Sequence, residues 1–279
     1  MSVRVTHRSL EDILTDSPEI LYKYRTWLNP NYPFHETILT ERKIYMSPPS
    51  EFEDPMDCKG AKRYDLMTPL DIWKRHYNYL LQRFPSINEF HIQKMATRDF
   101  LKSNFFDKNY VEWVTKDYSQ KLDKHFGVLS LTANPRIPKM WVKYADNHSG
   151  ICVGLKSSIL FDLKYIGGGG VVNYVDELPI INHDDDHDEE FMKQVQHKEE
   201  KWRFEEEYRT YKLWPHPASS KHRGRVLPPE AFKEVIFGAH LKVDQKKKIL
   251  NICKRQGMKA DFFQEEYDSV NDTVILQHM

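Results

Sequence analysis

The spacing of apolar residues changes twice along the chain, and this change limits the folds available to it. Short runs rich in β-branched and aromatic residues at 20–25, 43–47 and 126–132 predict strands. Between the second and third runs, residues 69–124 carry apolar side chains at helical intervals instead. Regular alternation of strands and helices is absent. The sequence therefore predicts an α+β fold with a mainly antiparallel sheet, continuous or split, and a helical insertion at about 65–124.

Length, charge and cysteine content exclude several classes of protein. The 279 residues suffice for a sizeable core, and we expect a single domain over 1–279. Lysine plus arginine equals aspartate plus glutamate at 41 each, which argues against a protein that mainly coats nucleic acid or an anionic membrane. Cys58, Cys152 and Cys253 lie far apart and lack zinc-site spacing, so neither a disulfide framework nor a thiolate metal site is expected. No signal-peptide core or membrane-length apolar run is visible, and we expect a cytoplasmic protein with no membrane contact and no bound metal.

The segment from Lys201 to Arg209 concentrates charge and aromatic rings more than any other. If it is a strand, alternation puts Arg203, Glu205, Glu207 and Arg209 on one face, opposite Trp202, Phe204, Glu206 and Tyr208. Two carboxylates flanked by two guanidinium groups form either a solvated ion-pair surface or a chemical site.

Other candidates lie at strand and helix ends. Arg25 ends the first predicted strand and Ser47 ends the second. Arg25 either serves a ligand or pairs with Glu205 or Asp54, and Ser47 either serves a ligand or is an ordinary strand-end residue. In the predicted helix after Pro138, the side chains of Trp141, Tyr144 and His148 lie about one and two turns apart and either line a cleft or belong to the core.

Several segments resemble a bacterial family known only as domain of unknown function 2971. The resemblance is carried by Tyr22-Lys23-Tyr24-Arg25, by Ser47–Asp57, by Met140–Cys152, by Lys201-Trp202, Phe204-Glu205, Glu207 and Arg209, and by Ile236-Phe237-Gly238. It extends over residues 20–240, and it departs from the family pattern at Glu53, where Asn is more usual. The family name implies no activity.

The order of these elements is also similar to the layout of ADP-ribosyltransferases. An arginine ends the first strand, a serine ends the second, and a Glu-x-Glu pair lies on a late strand. This resemblance implies NAD as substrate and a macromolecular acceptor, protein or nucleic acid, in the setting of a bacterial toxin or antiphage defence. Glu207 is then the first choice for the catalytic carboxylate and Glu205 the second, with Glu205 alternatively orienting the acceptor. Arg25 would bind the pyrophosphate or a ribose, and Ser47 would position the nicotinamide ribose or support the glutamate.

In the same scheme, Tyr45 or Tyr24 would stack on nicotinamide, although Tyr45 is also a natural core residue. Trp141, Tyr144, His148 and Arg209 remain further candidates for the lining of the cleft.

Two alternatives compete with this interpretation. The first is a non-catalytic nucleotide or nucleic-acid-binding protein of defence or stress, which would use the same cleft and the basic residues 219–225 of a predicted mobile basic loop at 215–229. The second is a metal-dependent nuclease, in which Asp54, Asp57, Glu205 and Glu207 would hold magnesium ions.

Overall fold

The structure is a computed structural model that describes residues 17–162 and 169–279. Its strands are β1 (Ile20–Arg25), β2 (Lys43–Tyr45), β3 (Phe126–Thr132), β4 (Ile151–Lys156), β5 (Gly169–Val171), β6 (Asn173–Val175), β7 (His197–Glu199), β8 (Glu207–Leu213), β9 (Gly224–Val226), β10 (Phe232–Phe237), β11 (Asp261–Asp268) and β12 (Thr273–His278). Its α-helices are α1 (Thr37–Thr40), α2 (Pro69–Arg83), α3 (Glu89–Phe100), α4 (Lys108–His125), α5 (Pro138–Tyr144), α6 (Ser157–Leu160), α7 (His187–Val195), α8 (Ser220–Arg223) and α9 (Val243–Arg255). Short 3-10 helices span Pro49–Glu51, Tyr64–Leu66, Asn104–Phe106, Glu200–Glu205 and Pro229–Ala231.

The main sheet, within the described ranges, has eight strands in the order β12-β11-β10-β4-β1-β3-β8-β5. Neighbouring strands are antiparallel except for the parallel pair β10 and β11. Two small sheets, β2 with β9 and β6 with β7, complete the β structure seen there. The α+β class, the mainly antiparallel sheet and the helical insertion between β2 and β3 are thus confirmed. The prediction of a single domain over 1–279 also includes residues 1–16 and 163–168, which lie outside the described ranges.

The main sheet is split between β1 and β3. Strand β1 pairs with β4 along its whole length, yet it meets β3 only at Tyr22, opposite Thr132. Further along β3, Ser47 takes over as the neighbour, because its N–H and C=O exchange 2.9 Å hydrogen bonds with Val128. A gap therefore opens along β3 between these two points.

A lysine side chain partly fills this gap. Lys23 follows Tyr22 on β1, and its Nζ donates a 2.5 Å hydrogen bond to the main-chain oxygen of Ser130 on β3. The ammonium group thereby satisfies a carbonyl that an adjacent strand would otherwise bond.

Each face of the sheet is covered by helices. On one face, Leu21 of β1 and Val153 of β4 are buried in a cluster that includes Ile249 and Cys253 of α9 and Leu39 of α1. On the other face, α5 packs Met140, Trp141 and Ala145 against Tyr24, Cys152 and Ile236. Full burial of one such apolar side chain contributes about 1.5–3 kcal/mol, so both layers hold the strands in place.

The helical insertion begins with a capping box, in which Thr68 and Asp71 exchange hydrogen bonds at the start of α2. Helix α3 is capped by the Asn88 side chain, which accepts a hydrogen bond from the Phe90 N–H. The pair α2 and α3 has a small cluster of its own, built on Leu80, Ile92 and Ala96.

The prediction of one continuous strand over 201–209 is wrong. The first half of this segment is the 3-10 helix Glu200–Glu205, and Glu206 has a φ of 44°, which breaks any extended run. Only the part from Glu207 onward is a strand, so the predicted shared face holds for Glu207 and Arg209 and is wrong for Arg203. A long-range contact stabilises the turn, since Trp202 Nε1 donates a 2.6 Å hydrogen bond to Asp54 Oδ2.

The prediction of a mobile basic loop at 215–229 is also wrong. This segment contains α8 and β9, and β9 pairs with β2. Arg223 is buried and donates to the main-chain oxygens of Phe126 and Asp123 at 2.6 and 2.8 Å. Its charge therefore serves the fold and is not presented to a nucleic acid.

Within the described part of the chain, every helix is too short or too polar to cross a membrane.

Candidate functional site

A cavity of about 260 Å³ opens where β1 and β3 separate. It is lined by the segment 22–26 of β1, by Ser47, by Ser130 and Leu131 of β3, by residues of the loop 51–57, by Tyr32 and His35, by Met140, Lys143 and Tyr144 of α5, and by Lys198, Trp202, Glu205 and Glu207. A cavity at the split of a sheet can be reached by side chains from both of its faces.

This split explains how Arg25 and Glu207 come to share a cavity. Glu207 is opposite Thr132, which is opposite Tyr22, so these three side chains share one face. Arg25 is three residues beyond Tyr22 and would lie on the opposite face of a continuous sheet. Because β1 leaves β3 after Tyr22, Arg25 and Glu207 both line the gap.

At one end of the cavity, three carboxylates surround an ammonium group. Lys198 Nζ lies 3.1 Å from Glu207 Oε2 and 3.3 Å from Asp57 Oδ2, and it also donates to Glu205 Oε2. All four side chains are buried. Behind them, Arg209 is fully buried, with its Nε 2.7 Å from Glu207 Oε1 and one Nη2 bond of 2.8 Å to Asp57. We name these five residues the ion cluster.

The ion cluster carries a formal charge of −1 when all its groups are ionised, since Asp57, Glu205 and Glu207 outnumber Lys198 and Arg209. Burial alone would raise the pKa of Glu207, but Arg209 and Lys198 together bring it below its ordinary value of 4.5. Burial likewise favours neutral Lys198, yet Glu207, Asp57 and Glu205 raise its pKa above 10.5. Glu207 is therefore a carboxylate, and Lys198 an ammonium, throughout the neutral pH range.

Neighbouring side chains fix the two glutamates in place. Tyr144 Oη donates a 2.6 Å hydrogen bond to Glu205 Oε1, and burial, together with Glu205, raises the pKa of this tyrosine. The main-chain N–H of Glu207 donates to Tyr174 Oη at 2.8 Å. Lys198 thus donates to one carboxylate oxygen of Glu205 and Tyr144 donates to the other. Both oxygens of Glu205 therefore have a hydrogen-bond partner.

Elsewhere in the cavity lies the guanidinium group of Arg25, which has no counter-ion among the described residues. The main chain of Arg25 pairs with Ile151 of β4, but within the described ranges its side chain forms neither a hydrogen bond nor an ion pair. Burial lowers its pKa to about 10, so it stays charged at neutral pH. Burial and the nearby Arg25 charge also lower the pKa of Lys23. A pair of cationic side chains without a bound carboxylate is well suited to an anionic ligand.

Charged groups of both signs line the cavity. Burial and the Arg25 charge lower the pKa of Lys23, while Glu207 and Glu205 act in the opposite direction. Burial, Arg25 and Lys23 lower the pKa of His35. The cavity therefore combines carboxylates of the ion cluster with the cationic side chains of Lys23 and Arg25.

The cavity brings together eight of the residues singled out from the sequence: Glu205, Glu207, Arg25, Ser47, Tyr24, Tyr144, Asp54 and Asp57. Ser47 makes its described hydrogen bonds through the main chain. Tyr24 is almost entirely buried, and its ring packs edge-on against Trp141 at 5.1 Å, so most of its surface belongs to the core.

Four other predicted residues lie away from the lining. Tyr45 donates to Glu51, and Arg209 lies behind Glu207. Trp141 and His148 are buried, with their rings stacked at 6.3 Å. The predicted shared helix face is wrong for His148, because α5 ends at Tyr144 and His148 has a φ of 65°.

Sequence reasoning missed Lys198 and Lys23. Lys23 could have been predicted from its spacing to Arg25. The two residues are two positions apart on β1, and alternate residues of a strand share a face. Lys198 carries no comparable local signal. Its position depends on Asp57, which is distant in sequence and reaches it only through the fold.

The carboxylates proposed for a nuclease do not meet in an arrangement for metal. Asp54 accepts from Trp202, and the other three surround Lys198 and Arg209. In the part of the chain that the structure describes, no group of three or more His, Cys, Asp or Glu residues is placed to hold a metal ion.

Comparisons with known proteins support one relationship. No curated protein and no solved structure matches the chain. Residues 140–210 match the model of a family described as a protein of unknown function, DUF2971. This region includes Tyr144, Lys198 and both glutamates, whereas Arg25 and Ser47 lie outside it. The segment that builds the negative end of the cavity is thus similar to the DUF2971 family, whose description assigns no activity.

Proposed function

We propose that the protein is an NAD-dependent ADP-ribosyltransferase-like enzyme that modifies a macromolecule. The observation that carries this proposal is that one cavity is lined both by Arg25, whose side chain has no partner in the described part of the chain, and by ionised Glu207. A dinucleotide has matching parts, namely anionic phosphates and a ribose that becomes cationic when its glycosidic bond breaks.

In this reaction, the bond between ribose C1′ and the nicotinamide nitrogen breaks, and its electron pair leaves with neutral nicotinamide. The ribose becomes an oxocarbenium-like cation, which a nearby carboxylate stabilises. Glu207 is suited to this role because Arg209 and Lys198 keep it ionised and oriented. A nucleophile of the acceptor then bonds to C1′ and loses a proton.

The remaining residues of the cavity receive supporting roles. The guanidinium group of Arg25 makes a bidentate contact with the pyrophosphate, and Lys23 adds a second positive group beside it. Ser47 lines the cavity, and its hydroxyl is assigned to the nicotinamide ribose. Glu205, held by Tyr144 and Lys198, is assigned to orienting the acceptor. The acceptor itself, protein or nucleic acid, and a role in toxin action or antiphage defence remain parts of the proposal.

A cytoplasmic location also belongs to this proposal. Cys58, Cys152 and Cys253 are buried free thiols, which suits a reducing compartment where NAD is present.

The test is release of nicotinamide from labelled NAD, with and without protein, DNA and RNA acceptors. We expect release by the wild-type protein and a loss of about 100-fold or more in Glu207→Gln, because a neutral amide cannot stabilise the cation. Glu206→Gln is the matched control, since Glu206 is exposed and lies outside the lining. Equal rates for the Glu207 and Glu206 variants, or no release by folded wild-type protein, would contradict the proposal.

A second candidate is a protein that binds a nucleotide without cleaving it. The partial neutralisation of the glutamates by Lys198 and Arg209 favours it, because such bonds limit the freedom of Glu207. Calorimetric binding of ADP-ribose that depends on Arg25, without nicotinamide release, would identify this case.

A further inference from the structure

Two stacked rings lie in the cavity on the side of Arg25. Tyr32 and His35 are nearly parallel, with ring centroids 4.8 Å apart and 8° between the planes. Both residues line the cavity. Tyr32 is 47% exposed, so His35 covers one part of its ring and another part is open to solvent. An exposed aromatic ring beside a cationic group is a common way to hold a nucleobase next to its phosphate.

The pair is held in position by polar contacts. Thr26 Oγ1 lies 2.8 Å from the ring nitrogen Nδ1 of His35. The main-chain N–H of His35 donates a 3.0 Å hydrogen bond to the main-chain oxygen of Tyr32. These contacts fix the His35 ring and the Tyr32 main chain, and the Tyr32 ring stacks on this support. A supported ring loses little conformational freedom when a ligand stacks on it.

The second ring of the pair is uncharged. Burial, reinforced by the positive charges of Arg25 and Lys23, lowers the pKa of His35 to about 3. At neutral pH the pair therefore offers a flat neutral surface, and phosphate recognition is left to Arg25. Tyr32, His35 and Arg25 line the same cavity as Glu207 of the ion cluster.

We propose that Tyr32, supported by His35, stacks on the purine base at the far end of a dinucleotide whose phosphates lie on Arg25. Tyr32 is then a specificity-determining residue that distinguishes base-bearing ligands from base-free ones. The orientation of the ligand rests on the proposed function, but stacking on Tyr32 is measurable without any catalysis.

Calorimetric titration with ADP-ribose, AMP and ribose 5-phosphate tests this inference. Stacking on an aromatic side chain changes affinity by about fivefold to 100-fold per base. We expect Tyr32→Ala to weaken ADP-ribose and AMP binding by that factor and to leave ribose 5-phosphate binding within about twofold. Tyr32→Phe should keep the affinity for all three ligands, because the ring remains. Tyr79→Ala, which removes a 62% exposed tyrosine of α2, is the matched control.

The inference is overturned if wild-type protein binds none of the three ligands, if Tyr32→Ala leaves ADP-ribose binding unchanged, or if it weakens all three equally. Its failure is distinguishable from that of the proposed function. Base-dependent binding without nicotinamide release removes only the proposed activity. Nicotinamide release with unaltered ADP-ribose affinity in Tyr32→Ala removes only the stacking role.

Discussion

At the scale of single residues, Arg25 is the most informative side chain. A buried charge without a counter-ion costs folding free energy, and such groups are concentrated at functional sites. Among the residues that the structure describes, nothing in the fold compensates Arg25. Its role is therefore expected to lie outside the folded chain itself, in a ligand.

This view predicts opposite effects of Arg25→Gln on stability and on binding. The lowered pKa of Arg25 means that the fold disfavours its charge, so removal should raise the free energy of unfolding by about 1 kcal/mol. ADP-ribose affinity should fall by at least about tenfold, because a charge-assisted contact to phosphate contributes about 1.5–3 kcal/mol. Urea denaturation and calorimetry check the two parts. A destabilised variant with unchanged affinity would show that Arg25 is structural.

At the scale of elements, the ion cluster joins four pieces of structure. Asp57 comes from a loop, Lys198 from β7, Glu205 from the 3-10 helix Glu200–Glu205, and Glu207 and Arg209 from β8. Breaking a buried pair by removing one partner typically costs about 3–5 kcal/mol, since the other charge stays buried. The cluster therefore acts as a structural anchor as well as a candidate catalytic centre.

The cluster predicts loss of stability in acid. Glu207 has a pKa below 4.5 in the folded state, so it stabilises the fold above pH 4.5 and this contribution disappears as pH falls further. Lys198, with its raised pKa, contributes below pH 10.5 and loses this effect at more alkaline pH. Thermal melting from pH 7 to pH 3 should show a steeper decline in wild-type protein than in Glu207→Gln.

The pH series needs two precautions. His35 also loses its contribution to folding stability below pH 6.5, because its folded pKa lies near 3. The series is therefore best measured in a His35→Asn background. If Glu207→Gln does not fold, the denaturant midpoint of wild-type protein across the same pH range serves instead. A flat profile below pH 4.5 would contradict the assigned ionisation.

Element types were predictable from the sequence where packing follows local pattern. The strands β1, β3 and β4 and the helices of the insertion follow apolar periodicity, which sheet and helix burial impose directly. The turn at Glu206 was not predictable, because glutamate rarely adopts a positive φ and the Trp202–Asp54 contact that holds it is long-range. Ion pairs such as Lys198 with Asp57 likewise depend on the completed fold.

At the scale of the whole molecule, the helical insertion and the main sheet differ in how they are held. Helices α2 and α3 bury only Leu80, Ile92 and Ala96 in their own cluster and leave Tyr79 and Phe90 exposed. Strands β1, β4 and β10 of the main sheet, in contrast, contribute residues to buried clusters on both faces, around α9 and around α5.

This difference predicts two levels of stability. Amide hydrogens of α2 and α3 should exchange with solvent at least about tenfold faster than those of β3 and β4, because the hairpin can open while the sheet stays folded. Hydrogen exchange followed by mass spectrometry resolves the segments. Equal protection in both regions would mean that the insertion and the sheet unfold as one unit.

The split between β1 and β3 has a mechanical consequence. A single main-chain pairing, Tyr22 with Thr132, joins the ladder of five strands on one side to the ladder of three on the other. A molecule held by Arg25 on one side and by Glu207 on the other would act as a cross-brace between the two ladders. Whatever occupies the cavity would then stiffen the sheet that surrounds it, and its departure would let the two halves move against each other.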